Sequence, residues 1–236
     1  MSEYAPSVSV VIPVYNGATY LGEAIGSVLA QDYVPLELIV VDDGSTDDSA
    51  DVAAQFGGVL VIKAPHRGIS RTLNAGIHRS TGELLSFLDA DDRWTPGKLE
   101  KQVIVLTQDP ALDIVFGHVR QFVAGSSRAV EEGEMSVPQP GIGRSAMLIR
   151  RRSFDRVGDF SIEPGMHDFM DWYARAIEMG LRSRMLDDIV FERRIHDQNV
   201  GRRTPERQRQ AYFNTLRAAL ARRRSPAEPS GRECGR

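Results

Sequence analysis

A chain of 236 residues, 42% of them hydrophobic and 26% charged, is long enough for one large core and too apolar for a disordered protein. Its formal net charge of −3 supplies no general attraction to nucleic acid, and its single cysteine, Cys234, excludes a disulfide framework. No apolar run approaches the roughly 18–20 residues that span a bilayer, and the opening MSEYAPS lacks the basic-then-apolar pattern of a signal peptide, so a cytoplasmic location is expected.

The first half alternates apolar runs with helical patterns. VSVVIP (8–13) is β-branched and ends at Pro13, the pattern of a buried strand. TYLGEAIGSVLAQ (19–31) sets Leu21, Ile25, Val28 and Leu29 on one helical face. LELIVV (36–41) is the second strand, and GSTDDS (44–49) opens a helix with Ser45 and Asp48 at capping-box spacing. VLVIK (59–63) is the third strand, ISRTLNAGIHRS (69–80) the next helix and LLSFLD (84–89) the fourth strand. Near-continuous apolar strands alternating with helices imply a parallel sheet covered on both faces.

The second half is less regular. DIVFGHVRQFV (113–123) reads as a strand, and 124–144, rich in Gly, Ser, Glu and Pro, as a mobile loop able to gate a site. RSAMLI (144–149) reads as a strand, HDFMDWYARAIEMG (167–180) as a helix closed by Gly180, and RSRMLDD and VFERRI as short late strands. From residue 202 the chain is strongly basic, which implies a surface helix over about 205–223 and a disordered tail. That helix is either simply solvated or a contact surface for an acidic partner or an anionic membrane. No internal repeat and no linker isolating a second domain is visible.

In parallel α/β sheets, ligands bind outside the carboxyl ends of the strands. Here the first strand ends in PVYNG (13–17), the second in DDGS (42–45) and the fourth in DADD (89–92). Asp89, Asp91 and Asp92 repel one another, and close carboxylates raise each other's pKa. A divalent cation removes that conflict. Asp89-Ala90-Asp91 therefore suits Mg²⁺ or Mn²⁺ held between protein and a diphosphate; helix capping alone would need one acid. Asp42 and Asp43 either make a turn and cap a helix or accept hydrogen bonds from a nucleobase or ribose. Tyr15 either stacks on a base or belongs to the core.

These motifs carry a resemblance. VSVVIPVYNGATYLGEAIGSVLAQDYVPLELIVVDDGSTDDS and GISRTLNAGIHRSTGELLSFLDADDRWTPGKLEKQV resemble family 2 glycosyltransferases, closely over roughly 7–123 and more weakly to about 201. The resemblance implies a GT-A fold: an α/β, Rossmann-like, mostly parallel sheet covered by helices, with a smaller acceptor-side β/α portion. It implies one catalytic domain over 1–201, with 1–123 binding the nucleotide sugar and 124–201 facing the acceptor, and 202–236 as a basic appendage. The implied chemistry is inverting, metal-assisted transfer of a sugar from a nucleoside diphosphate, UDP favoured, to an acceptor hydroxyl.

By position, Pro13, Tyr15 and Asn16 match the family's nucleotide contact region. Asp43, with Asp42 beside it, matches the acid that recognises the base. Asp89 and Asp91 match the metal and diphosphate motif, with Asp91 the direct ligand, and His196 matches a late histidine that can complete the metal shell. The family has two adjacent acids, the second the catalytic base, and a tryptophan four residues later. Asp168 and Trp172 fit that spacing, with His167 in place of the first acid. Asp171 directly precedes the tryptophan and is the second candidate base; both acids share a helical face and are expected in one cleft. Arg71 is a candidate diphosphate contact. The acceptor is left open among a glycan, a lipid-linked sugar, a small molecule and a peptide, with peripheral attachment at the inner membrane face as an option for location. Two other readings stay open. One is a sugar-nucleotide nucleotidyltransferase, disfavoured because PVYNGATY holds no lysine or arginine. The other is a non-catalytic nucleotide-sugar-binding module.

Overall fold

Four of the apolar runs become four parallel strands. In the computed structural model, which describes residues 5–123, 137–196 and 204–224, β1 (Val8–Val14), β2 (Leu36–Asp42), β3 (Val59–Lys63) and β4 (Leu84–Phe87) lie in the order β3-β2-β1-β4. Every residue of β1 is buried, as a central strand covered on both faces requires. The crossovers carry α1 (Ala18–Leu29), α2 (Ser49–Ala54) and α3 (Ile69–Arg79). A Cβ on Gly76 of α3 would lie 2.5 Å from a Val11 methyl, so only glycine lets that helix sit this close to β1. On α1, Leu21, Ile25 and Val28 are buried with Ala24, whereas Leu29, expected on the same face, is exposed.

Beyond β4 the direction alternates. β8 (Leu148–Arg150) pairs antiparallel with β4, and β6 (Ile114–Val123) antiparallel with β8. β9 (Ser183–Ile195) runs parallel to β6, and β5 (Arg93–Trp94) closes the edge antiparallel to β9; β7 (Gln139–Pro140) pairs with β6. The two expected late strands are thus one strand, with register shifts where β6 passes His118. α4 (Lys98–Gln108), α5 (Arg151–Val157), α6 (Asp168–Glu178) and α7 (Pro205–Arg224) complete the described elements.

Trp172 fixes α6. It is fully buried, stacks on Phe154 with ring centroids 5.1 Å apart, and donates its indole N–H to the Gly158 carbonyl at 2.8 Å. Gly180, at φ +75°, ends that helix as expected, with the Leu181 amide reaching back to the Ala176 carbonyl at 3.0 Å.

Two local expectations are corrected. α2 starts at Ser49 with Asp48 at its N-cap position, but neither Asp48 nor Ser45 makes a side-chain capping bond; the Ser45 hydroxyl instead accepts from the Asn16 amide, because 44–48 is tied to the loop after β1. The strand expected over 144–149 begins only at Leu148; Arg144–Ala146 forms a 3-10 turn. Residues 124–136 of the expected gating loop and the tail beyond 224 lie outside the described residues.

One buried cation sits under this sheet. Lys98 is 1% exposed, donates to Gln102 Oε1 at 2.8 Å and Ser86 Oγ at 3.1 Å, and lies 4.0 Å over the Trp94 ring. Burial holds its pKa well below the ordinary lysine value. Between that lowered value and about 10.4 the unfolded chain binds more protons than the native one, so stability rises with pH across that window. The stability of the wild type relative to Lys98→Met therefore grows with pH, by up to about 1.4 kcal/mol per unit. Urea unfolding of both proteins from neutral to alkaline pH checks this; a constant difference contradicts it.

Candidate functional site

Because β1, β2 and β4 are parallel neighbours, their carboxyl ends open on one edge, and the loops that follow are stitched together. Asn16, at φ +51°, accepts from the Thr46 amide at 2.8 Å. The Gly17 amide donates to Ser49 Oγ at 2.9 Å and the Ala18 amide to Asp47 Oδ2 at 3.0 Å. A Cβ on Gly17 would meet a Val14 methyl at 2.8 Å and Ala90 Cβ at 3.6 Å, so the loop after β1 also abuts the acid turn after β4.

Asp42 makes a turn, accepting from the Ser45 amide at 3.0 Å. Asp43 is 4% exposed and organises the segment before α3: it accepts from the Arg67 amide at 2.8 Å and the Gly68 amide at 2.9 Å, with His66 Nδ1 2.9 Å away. Tyr15 does not enter the core. Its ring, 48% exposed, stacks on His66 with centroids 4.0 Å apart and an interplanar angle of 22°. Tyr15, His66 and Asp43 thus form an aromatic shelf backed by a carboxylate. Pro13 is buried inside β1, and Arg71 is exposed on the first turn of α3.

The acid turn meets residues from two later segments, and one of them reaches on to α6. Arg144 Nε donates to Asp89 Oδ1 at 2.8 Å, and Arg144 Nη1 donates to Asp168 Oδ2 at 2.8 Å. Burial alone would lower the Arg144 pKa, but Asp89 and Asp168 hold it raised, so the bridge stays charged. His196 Nε2 lies 3.0 Å from Asp91 Oδ2, and the Arg194 amide donates to Asp92 Oδ1 at 2.9 Å. Arg194 Nε also donates to the Asp91 carbonyl at 2.9 Å, and its guanidinium pairs with Glu23.

Asp168 is the first residue of α6 and 8% exposed; its other oxygen accepts from the Phe169 amide at 2.7 Å. His167, standing where an acid was expected, caps the helix: its Nδ1 accepts from the Met170 amide at 3.4 Å. Burial and nearby Arg144 lower the His167 pKa, against the pull of Asp168, consistent with that accepting role.

Asp171 does not share the cleft with Asp168. Arg175 Nε donates to Asp171 Oδ2 at 3.0 Å and Arg222 Nη1 to Oδ1 at 3.1 Å, and the carboxylate lines a separate open cavity of about 650 Å³ with Glu163 and Asn214. Asp171→Asn is accordingly expected to leave sugar transfer within a few-fold of wild type. It should cost about 1–2 kcal/mol of stability, because two partly exposed arginines lose a charged acceptor. Urea unfolding alongside a turnover assay measures both effects.

The residues fit a divalent cation. Burial first, and Asp89 second, raise the Asp91 pKa, and burial with Asp89 and Asp91 raises Asp92 well above the usual range, so the turn is short of positive charge. Asp89 is engaged by Arg144, so Asp91 and His196, 3.0 Å apart, are the pair that could hold a cation. No group of three or more His, Cys, Asp or Glu suited to a metal occurs among the described residues, so the remaining positions would fall to donor phosphate and water.

Arg144 and His66 did not stand out in the sequence. Arg144 lies in GIGRSA, where the spacing fails the dinucleotide fingerprint. Three residues before Arg144, a Cβ on Gly141 would sit 2.6 Å from the Gly117 carbonyl, a close approach visible only in the structure. His66 lies three residues after the end of β3, at the same sheet edge as the other clusters.

Comparison with known proteins agrees with this architecture. The profile of Glycosyl transferase family 2 matches residues 9–176. An uncharacterized glycosyltransferase of Rickettsia prowazekii is 41% identical over 113 residues, covering 48% of this chain and 36% of that protein. The putative teichuronic acid biosynthesis glycosyltransferase TuaG of Bacillus subtilis is 36% identical over 108 residues, covering 44% of this chain and 43% of its own. The matches thus span less than half of these relatives. Among solved structures, S. aureus TarS 1-349 in complex with UDP-GlcNAc superposes with a TM-score of 0.73 at 17% identity, over 94% of this chain and 68% of that one. The mannosyltransferase PcManGT from Pyrobaculum calidifontis, in complex with GDP-Man and Mn2+, gives a TM-score of 0.73 at 21% identity, over 96% and 67%. The curled, mostly parallel sheet is the GT-A fold. With more than half of its residues inside the family profile, the chain belongs to glycosyl transferase family 2.

Proposed function

We propose that this chain is an inverting glycosyltransferase that moves a sugar from a nucleoside diphosphate, UDP favoured, to an acceptor hydroxyl. The observation that carries the reading is Arg144, one guanidinium hydrogen-bonded at 2.8 Å to Asp89 of the acid turn and at 2.8 Å to Asp168 of α6. It ties the diphosphate-facing acids and the candidate base into one site. Tyr15 and His66 offer the face on which the nucleobase stacks, with Asp43 behind it. A divalent cation, Mn²⁺ or Mg²⁺, held by Asp91 and His196, would supply Lewis-acid stabilisation of the leaving diphosphate. Asp168 takes the proton from the acceptor hydroxyl as that oxygen attacks the anomeric carbon. Arg144 holds the Asp168 carboxylate in place for that transfer and pairs with Asp89. Residues 1–201 carry this chemistry, and 202–236 are an appendage to it.

Solved neighbours bind nucleotide sugars of two kinds, UDP-GlcNAc in TarS and GDP-Man in PcManGT, which supports the donor class. The test is a panel of UDP- and GDP-sugars incubated with the purified chain and Mn²⁺, without acceptor. Slow release of nucleoside diphosphate and free sugar from one nucleotide series is the expected result. Pyrophosphate-dependent breakdown to a nucleoside triphosphate would make it a nucleotidyltransferase. Binding with no breakdown would make it a binding module.

A further inference from the structure

Among the described residues, the side chains that tie α7 to the body of the protein lie on one face. Thr215 Oγ1 accepts from the His167 amide at 3.0 Å, Asn214 Nδ2 donates to the Gly165 carbonyl at 3.0 Å, and Arg222 pairs with Asp171 and with Glu178. The opposite face carries large apolar side chains in solvent: Phe213 is 63% exposed, Leu216 57% and Leu220 53%. At 3.6 residues per turn these three fall within about 60° of arc, and Thr215 lies roughly opposite them. Arg209 projects within the same arc, and Arg217 and Arg223 flank it, all three exposed. Glu206, at the first turn, is the helix's one acid.

We propose that this outer face of α7 is a docking surface for an anionic bilayer. Phe213, Leu216 and Leu220 enter the headgroup–acyl boundary, while Arg209, Arg217 and Arg223 meet lipid phosphates, the arrangement of an interfacial helix lying in the membrane plane. Charge decides the occupant. A second copy would bring the arginines of one stripe against those of the other, and three side chains fall far short of the roughly 800 Å² per partner that a stable interface buries. The helix spans 20 residues but is not apolar enough to cross a membrane, so we place it on the surface of one. Its inner face grips the first turn of α6: the Tyr212 ring lies 4.6 Å from the His167 ring, and Asp168 is the next residue. Docking would therefore set α7 between the bilayer and the first turn of α6. The proposal concerns membrane contact alone and stands apart from the sugar-transfer reading.

Vesicle flotation of the full chain tests it, using phosphatidylcholine alone and phosphatidylcholine with phosphatidylglycerol at two parts to one. The wild type should float with the anionic vesicles and not with the neutral ones. Arg209→Gln/Arg217→Gln should weaken that partition about 30-fold, at about 1 kcal/mol for each arginine near an anionic surface. Phe213→Gln/Leu216→Gln/Leu220→Gln should abolish it while leaving circular dichroism and donor breakdown in solution unchanged. Equal flotation of all three proteins would place any binding outside this face of α7 and overturn the proposal. So would no flotation at all, or a wild-type dimer by light scattering that the apolar triple variant converts to monomer.

Discussion

Asp168→Asn lowers turnover by about 10²–10⁴-fold while donor affinity stays within a few-fold of wild type. The asparagine is isosteric and still accepts the hydrogen bond from Arg144, so the site keeps its shape. What it loses is the ability to take a proton. The carboxylate is well placed for that role: it opens α6, is 8% exposed, and one oxygen is fixed by Arg144 at 2.8 Å. Single-turnover breakdown of the preferred donor, paired with its equilibrium binding, separates the two effects. Comparable loss in Asp171→Asn with full activity in Asp168→Asn would move the base one turn along the helix.

Removing the bridge itself has the largest expected effect on stability. Arg144→Leu leaves the Asp168 and Asp89 carboxylates close to one another without their shared cation, and breaking a buried pair from one side costs about 3 kcal/mol or more. Asp168 is the more buried of the two, so most of the penalty falls there; Asp89, about a third exposed, is partly relieved by water. For a chain of this size that corresponds to a melting temperature lower by about 6–12 °C. The double variant Arg144→Leu/Asp168→Asn should be less destabilised than the sum of its parts, because the stranded charge is gone. Strict additivity in calorimetric melting would mean the bridge carries no coupling. Arg144→Lys, which keeps the charge but loses the fork that spans two carboxylates, should fall between.

What could be read from the chain alone follows from how local the causes were. Four apolar runs with helical patterns between them are enough to specify the parallel half of the sheet, and strand ends carrying YN, DD and DADD mark the edge where ligands bind. Asp89 and Asp91 could be singled out because three acids in four residues create a conflict visible without a structure. The separation of Asp168 from Asp171 could not. On an ideal helix they share a face, but each has a partner from far away in sequence, besides Arg175 four residues after Asp171: Arg144 lies 24 residues before Asp168, and Arg222 lies 51 after Asp171. Ser45 failed as a cap for a similar reason, because the Asn16 amide, 29 residues earlier, claims its hydroxyl. Helix propensity and capping rules describe a segment alone, and each of these side chains answers to a neighbouring loop.

Metal-dependent capture of a sugar nucleotide by the turn after β4 is the step on which the proposed transfer depends. Calorimetric titration of the preferred donor into wild type and Asp91→Asn, with and without Mn²⁺, tests it most directly. The expected result is uptake by the wild type that requires Mn²⁺ and weakens at least tenfold in Asp91→Asn, about 1.4 kcal/mol or more. Donor uptake of equal strength in both proteins, indifferent to Mn²⁺, would contradict it.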